Sequence, residues 1–271
     1  MNQLQKTELE LLRVFIGICE KLGLRYYLVC GSALGAAKYG GFIPWDDDVD
    51  VALRREDYRI LVSKAQELLP SWCFLQTYTS DPGYPQMFAK LRDSRTTYIE
   101  RSARELKINH GVFIDIFPLD GYPEEERAKK RLERLKWWYK RCLSSANAFD
   151  KGQSLRARLF FIALKAMGYH RRTGKTVRKL ERLLAVYPTE TSALWCNHGN
   201  WQGIKEYAPR EQYGDGATAR FEDLTVIIPE RYDEYLTQKY GDWRADLPEE
   251  EKTGHHHTAI YDPDRPYTRY L

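Results

Sequence analysis

The chain of 271 residues predicts an α/β (α+β) fold in which a mixed sheet is flanked by helices. Three observations favour this class: apolar residues recur at helical spacing over residues 6–22, short apolar strands follow, and helical patterns separate those strands. With 43% hydrophobic residues the chain can bury a sizeable core. It contains no run of 18 apolar residues that would predict a membrane-spanning helix.

The predicted fold opens with a helix over residues 6–22 and a core strand over residues 25–30. Gly23 ends the helix, and Gly31-Ser32 opens a second helix directly after the strand. The free N–H groups of such a helix start attract phosphate, and Gly31 lets a ligand approach the backbone closely. The same dipeptide is also typical of a plain strand-to-helix turn with a serine cap, so residues further along must decide between the two.

Four aspartates then occur within five positions, at Asp46, Asp47, Asp48 and Asp50. If residues 46–53 form a strand, Asp46, Asp48 and Asp50 share one face, and Asp47 points away. Alternate residues of a strand lie roughly 7 Å apart, so two carboxylates can together hold one or two hard cations such as Mg²⁺. A solvated acidic turn is the alternative, but the flanking Trp45 and the apolar strand favour a site.

A further carboxylate, Asp115, lies inside an apolar strand predicted over residues 112–117, which Pro118 is expected to terminate. A buried acid is costly unless it is paired or bound to a cation. Asp115 is therefore either a hydrogen-bonded core acid or the third carboxylate of a metal site with Asp48 and Asp50. Asp46 is a reserve ligand for that site.

Two more strands near residues 72–78 and 86–91 follow a helix predicted over residues 56–69 and ended by Pro70. Lys90 and Arg92 share one face of the second of these strands. They are expected either to neutralise a substrate phosphate or to be ordinary solvated cations.

Positive charge is concentrated in one region, although the net charge of the chain is only +4. Residues 127–182 carry 18 Lys and Arg residues against three acids, within a stretch (124–190) that predicts two or three helices. A basic amphipathic helix can bind an anionic membrane surface or simply pack on the core. No nucleic-acid-binding motif is present, so no nucleic acid partner is expected.

Residues 191–271 are rich in aromatic side chains. Trp195 and Trp201 are candidates to stack on a base or to cage a quaternary ammonium group, although core aromatics are a common alternative. His256 and His257 are candidates to contact phosphate or ligate a metal, with surface histidines as the alternative.

The five cysteines are widely spaced, form no Cys-x-x-Cys pair and are odd in number, so they predict reduced thiols. The N-terminal residues lack the apolar segment of a signal peptide. We therefore expect a cytoplasmic protein, with the basic region 127–182 allowing peripheral contact with the inner face of a membrane.

Gly31-Ser32, the aspartates around Asp48, and Asp115 on a later strand together resemble the pattern of the nucleotidyltransferase superfamily. The fuller segment 27–53 resembles the LicD family, whose relatives include phosphocholine transferases and the fukutin-related proteins. Two more blocks are similar to that family, at residues 88–120 and 235–257. The similarity covers both ends of the chain and leaves out mainly the middle.

The resemblance implies a nucleotidyltransferase-like catalytic core (1–123), a basic helical insertion (124–190) and a C-terminal cap (191–271) that completes the substrate site. It also implies transfer of phosphocholine from CDP-choline to a sugar hydroxyl of a cell-surface glycan or teichoic acid precursor, with release of CMP. The acceptor glycan is expected to be lipid-linked. Mg²⁺, as one or two ions, is the expected cofactor, and Mn²⁺ is a possible substitute.

Two alternatives remain open from the sequence. One is another nucleotide-donor transferase of the same superfamily, which would transfer ribitol phosphate or a nucleotidyl group to a small acceptor. The other is a non-catalytic basic module that binds lipid or polyanion, for which the acidic residues would have no purpose.

Overall fold

A computed structural model describes residues 1–147, 154–200, 202–252, 254 and 258–271. The helices are α1 (Gln3–Leu22), α2 (Cys30–Tyr39), α3 (Arg55–Leu68), α4 (Glu126–Ala146), α5 (Leu155–Ala166), α6 (Thr173–Leu184), α7 (Arg210–Tyr213) and α8 (Tyr232–Tyr240). The strands are β1 (Tyr26–Leu28), β2 (Asp50–Arg54), β3 (Cys73–Gln76), β4 (Ala89–Asp93), β5 (Thr97–Glu100), β6 (Val112–Gly121), β7 (Leu194–Asn197), β8 (Tyr207–Pro209), β9 (Ala217–Phe221), β10 (Leu224–Ile228) and β11 (Thr258–Asp262).

A mixed sheet organised around β6 forms the centre of the molecule. Its strand order is β1-β2-β6-β4-β3, and β7 and β8 extend it from the far end of β6. The β2–β6 pair is parallel, whereas the other neighbours are antiparallel. Two smaller sheets pair β9 with β10 and β5 with β11. A mixed sheet flanked by helices confirms the predicted fold class.

The first helix packs against the central sheet and ends where the sequence predicts. Leu11, Leu12 and Phe15 are buried in the main core, and α1 contacts β4 and β6. Gly23 ends α1 with a φ of 65°, a left-handed conformation that side chains with a Cβ rarely adopt. The short strand β1 then leads directly into α2, as predicted.

The longest strand, β6, does not end at Pro118. Pro118 pairs in register with Leu53 of β2, and β6 continues to Gly121. Proline lacks an N–H to donate, but β4 pairs with β6 only as far as Ile116, and β7 begins to pair only at Leu119. The prediction of a strand end was wrong because the missing donor falls between two partner strands.

The predicted strand over residues 46–53 begins only at Asp50. Asp46 to Asp48 instead form a loop, in which the Asp46 amide donates to the Ile43 carbonyl at 2.9 Å. Gln5 of α1 donates from Nε2 to the Asp46 carbonyl at 3.1 Å, which ties the loop to the first helix. The prediction that Asp46 and Asp48 lie on one face of a strand was therefore wrong. Only Asp50, the first residue of β2, lies on a strand as predicted.

A buried ion pair joins α3 to the central sheet and lies next to α6. Arg55 of α3 donates to both carboxylate oxygens of Asp120 on β6, at 2.7 and 2.8 Å, and both side chains are buried. The same guanidinium lies 3.4 Å from Glu181 of α6. A second apolar cluster, built largely from α4 and α6, packs beside this pair.

Two further sequence expectations can be compared with the described residues. All five cysteines are free and buried, in agreement with the predicted thiols. No helix in the described ranges is both long and apolar enough to cross a bilayer.

We expect Asp120→Ala to lower the free energy of unfolding by about 3–5 kcal/mol, because it leaves the Arg55 guanidinium buried without its carboxylate. Asp223→Ala removes an exposed partner of Arg13 and should cost less than about 1 kcal/mol. Urea denaturation of the two variants measures both values, and equal losses would contradict the role given to the buried pair.

Candidate active site

The acidic loop brings three carboxylates into one cluster. Oxygens of Asp46, Asp47 and Asp48 all lie within 4.8 Å of one another, and among the described residues this is the group with spacing suited to a metal ion. Asp47 was expected to point away from the other two, which is wrong because the loop lacks the alternation of a strand. Three clustered carboxylates supply the oxygen ligands that Mg²⁺ prefers.

Burial and crowding make it costly to ionise the whole cluster. Asp46 is buried, and its burial, followed by the charges of Asp48 and Asp47, raises the pKa of its carboxyl to about 8. A cation bound by the cluster would neutralise this repulsion. The electrostatics therefore fit a divalent cation at this cluster, which shares Asp48 and the reserve ligand Asp46 with the predicted metal site but not Asp50 or Asp115.

A row of charges crosses the sheet beside the acidic loop. Asp50 of β2, Asp115 of β6 and Lys90 of β4 are register partners on adjacent strands. Lys90 Nζ lies 2.9 Å from Asp115 Oδ1 and 3.6 Å from Glu100 Oε2. The structure thus places Asp115 next to Asp50, but outside the close cluster, and pairs it with a buried ammonium group.

The start of α2 is held directly against the acidic loop. A Cβ on Gly31 would lie only 2.7 Å from Asp46 Oδ2, so glycine allows the helix and the loop to approach this closely. The Ser32 hydroxyl oxygen accepts the Asp50 amide at 2.8 Å and is buried. Gly31 thus brings α2 close to Asp46, whereas Ser32 connects α2 to β2.

A cavity of about 480 Å³ opens between the acidic loop, α2 and the C-terminal segment. Its polar walls include Asp46, Asp48 and Asp50, together with Gly31 of α2. Its remaining walls are largely aromatic or apolar and come from distant parts of the chain: Leu34, Tyr39, Ile43, Trp45, Tyr240, Trp243, Ala245 and Leu247. Carboxylates, a helix start and aromatic rings thus line one space.

The two cations predicted for substrate phosphate are buried instead of exposed. Arg92 donates to Gln76 Oε1 at 2.5 Å and to the Gly111 carbonyl at 2.7 Å, which commits its guanidinium to the fold. Burial lowers the pKa of Arg92. The position of Arg92 does not support a phosphate contact, whereas Lys90 remains close to the carboxylates through Asp115.

Trp195 lies in the core and not at the cavity. It stacks on Tyr213 at 5.4 Å, and its indole N–H donates to the Thr189 carbonyl at 2.8 Å. The predicted contact of Trp195 with substrate is not supported by this position. The other predicted contacts in this segment, Trp201, His256 and His257, lie outside the described residues.

Several cavity residues were not singled out from the sequence. Tyr240 and Trp243 fall in a stretch noted only for its family resemblance, and Lys38 was not considered. Burial, with Cys30 and Asp50 as the next causes, raises the pKa of Tyr240. The C-terminal segment also covers the acidic loop, because Lys252 Nζ lies 5.4 Å from the Trp45 ring centroid and Gly254 adjoins Asp47.

Comparison with known proteins identifies several that are similar in sequence to this chain. Residues 23–142 match the family described as LicD/FKTN/FKRP, nucleotidyltransferase domain. The lipopolysaccharide cholinephosphotransferase LicD of Haemophilus influenzae is 28% identical over 272 residues, which cover 96% of this chain and 97% of that protein. The human ribitol 5-phosphate transferase FKRP is 50% identical over 48 residues, or 18% of this chain and 10% of that protein. The matched domain contains the acidic loop, the start of α2 and Asp115.

In protein stripped of divalent cations, stability should fall as the pH rises. The Asp46 pKa of about 8 exceeds its usual value of 3.8, so protonation stabilises the folded state at low pH, and this stabilisation is lost as the pH rises towards 8. Asp46→Asn stays neutral and should exceed the wild type in free energy of unfolding at about pH 8 by more than about 1 kcal/mol. Urea denaturation in EDTA, with Asp223→Asn as the matched control, tests this. An identical pH dependence of all three proteins would contradict the raised pKa.

Proposed function

We propose a specific reaction for this chain from the premise that it belongs to the LicD family and is an enzyme of the phosphotransferase class. The proposed reaction transfers phosphocholine from CDP-choline to a sugar hydroxyl of a cell-surface glycan and releases CMP. The similarity to a lipopolysaccharide cholinephosphotransferase along nearly the whole chain supports phosphocholine transfer to a glycan. CDP-choline as the donor and Mg²⁺ as the cofactor are the finer parts of the proposal.

The observation that carries the proposal is the composition of the cavity beside the acidic loop. Asp46, Asp48 and Asp50 line it together with Gly31 and with aromatic rings. A nucleotide-linked choline donor needs each of these: oxygen ligands for a cation, N–H donors for phosphate, and rings for a quaternary ammonium group. No separate site has to be assumed for any of the three.

The phosphates of the donor would be held at the start of α2. In this turn, the Val29 amide donates to the Asp50 carbonyl and the Cys30 amide donates to the Tyr235 hydroxyl. The next amides, of Gly31 and Ser32, belong to the first turn and have no acceptor within the helix. Lys38 on the same helix lines the cavity, where its ammonium donates to the Ala245 carbonyl at 2.7 Å and lies 3.2 Å from Asp246 Oδ1. These groups suit the binding of a diphosphate.

Asp46 and Asp48, with Asp47 beside them, would hold Mg²⁺, and Asp50 would approach from β2. When bound, the cation neutralises charge on the phosphates and helps to align the attacking oxygen. In the reaction, the acceptor hydroxyl oxygen forms a bond to the phosphorus that carries choline, the bond from this phosphorus to the CMP oxygen breaks, and the hydroxyl proton passes to a carboxylate. Asp115, which is the register partner of Asp50 and pairs with Lys90, would act either as a further cation ligand or as the acceptor of that proton.

The aromatic part of the cavity is the proposed choline pocket. Tyr39 and Trp45 meet edge to face at 6.2 Å, and Tyr240 and Trp243 line the same space. Lys252 Nζ already lies 5.4 Å from the Trp45 ring centroid, so a cation can reach that ring. Quaternary ammonium groups bind between such rings by cation–π attraction. This pocket takes the place of the one that the sequence assigned to Trp195, whereas Trp201 lies outside the described residues.

A ribitol-phosphate transferase is the second candidate, because 48 residues are 50% identical to a ribitol 5-phosphate transferase. The sites for the donor phosphates and the cation would be unchanged. Ribitol, however, carries no positive charge that the aromatic rings could attract. A non-catalytic basic module is disfavoured, since it would not need a carboxylate cluster within a cavity. The proposal further includes a lipid-linked acceptor that is reached at the inner face of a membrane.

Asp48→Asn should abolish turnover of CDP-choline while the fold is retained. Loss of one charged cation ligand should lower the rate by more than about tenfold, equivalent to about 1.4 kcal/mol of transition-state stabilisation. CMP release measures the rate, and circular dichroism checks the fold. Asp223→Asn, at an exposed acid paired with Arg13, is the matched control and should keep wild-type activity. Retention of more than about a tenth of the rate in Asp48→Asn would contradict the assignment.

Trp45→Leu should impair choline donors selectively, because leucine keeps apolar contact but lacks the ring that attracts the ammonium group. We expect kcat/KM with CDP-choline to fall about tenfold or more, and kcat/KM with CDP-ribitol to change little. Parallel assays with both donors measure the difference. The Trp45→Phe variant keeps a ring and should recover most of the activity. Equal losses with both donors would count against the choline pocket.

A further inference from the structure

Helix α5 carries large apolar side chains on its solvent-exposed side. Of the described helix, Leu164 is buried, whereas the outer face is exposed. We define the outer face of α5 as the residues with the largest exposed apolar side chains in and directly after the helix: Leu155 (72% exposed), Leu159 (58%), Phe160 (49%), Ile162 (51%) and Met167 (56%). Together with the exposed Arg156, these side chains form a largely apolar surface on α5.

The cations of α5 accompany this apolar surface. Arg156 is exposed, Arg158 and Lys165 are partly exposed, and Lys165 Nζ lies 3.2 Å from Glu105. Large apolar side chains exposed beside cations are unfavourable in water and favourable for a helix that lies in a membrane interface.

We propose that the outer face of α5 inserts into the surface of an anionic phospholipid bilayer. Charge complementarity identifies this partner, because residues 154–172 contain five Lys and Arg residues and no acid. The neighbouring helix α4 adds two exposed tryptophans, Trp137 and Trp138, a residue type enriched at membrane interfaces. Since α5 is too short to cross a bilayer, the contact is a peripheral one.

A second copy of the chain is a poorer partner for the same face. Two copies joined through the outer face of α5 would bring two acid-free basic segments together, and like charges at close range repel. An anionic bilayer instead gains about 1 kcal/mol of attraction for each well-placed cation. The inference concerns membrane binding alone and does not depend on the reaction proposed above.

The test is sedimentation of the whole protein with vesicles at low salt. Wild type should bind vesicles of phosphatidylglycerol and phosphatidylcholine, and bind vesicles of phosphatidylcholine alone at least about tenfold more weakly. Leu159→Asn/Ile162→Asn should weaken binding to the anionic vesicles at least about tenfold without lowering the melting temperature, because both side chains are exposed in the folded protein. The matched control, Val186→Asn/Ile204→Asn, changes two exposed apolar residues elsewhere and should bind like wild type.

Three results would overturn the inference. They are an absence of wild-type binding to anionic vesicles at low salt, equal binding of wild type and Leu159→Asn/Ile162→Asn, and a wild-type dimer that this variant converts to monomer.

A second measurement does not require a polar substitution. The five native cysteines are buried, so Leu159→Cys offers a single accessible thiol for a polarity-sensitive fluorophore. Its emission should shift to the blue with anionic vesicles, whereas a label at Ile204→Cys should not shift. An unshifted label at Leu159→Cys would contradict insertion.

Discussion

Repulsion among Asp46, Asp47 and Asp48 is the constraint on which the structure of the site depends. Their oxygens lie within 4.8 Å of one another, and burial adds to the cost of ionising them. The loop is nevertheless held by neutral hydrogen bonds. The Gln5 side-chain amide donates to the Asp46 carbonyl, and the Asp46 backbone amide donates to the Ile43 carbonyl. The fold therefore concentrates negative charge where a cation can relieve it, and Gly31 lets the start of α2 approach the same point.

How far the sequence predicts this structure depends on whether a feature is local. The helix α1, the turn from β1 into α2 and the apolar strand around Asp115 follow from periodicity and glycine positions, and the structure contains all three. The acidic segment was predicted as a strand because its residues alternate, but hydrogen bonds to Ile43 and Gln5 hold it as a loop. The bond to Ile43 is a local turn, but the contact with Gln5 joins residues 41 positions apart, and local patterns do not report such a contact.

The substrate side of the site shows the same limit more clearly. Trp195 and Trp243 are both tryptophans in an aromatic segment, yet one stacks in the core and the other lines the cavity. Lys90 and Arg92 alternate on a strand as predicted, but their burial comes from partners on other strands. The residue types in the sequence indicate the chemistry that a site could perform. Tertiary packing decides which residues of each type line that site.

The central claim is that one cavity binds a nucleotide-linked choline through a divalent cation. Calorimetric titration of CDP-choline into the wild-type protein, with Mg²⁺ and then with EDTA, tests this claim most directly. The account predicts saturable binding with Mg²⁺ that is lost in EDTA. Absence of binding with Mg²⁺, or binding that is unchanged by EDTA, would contradict it.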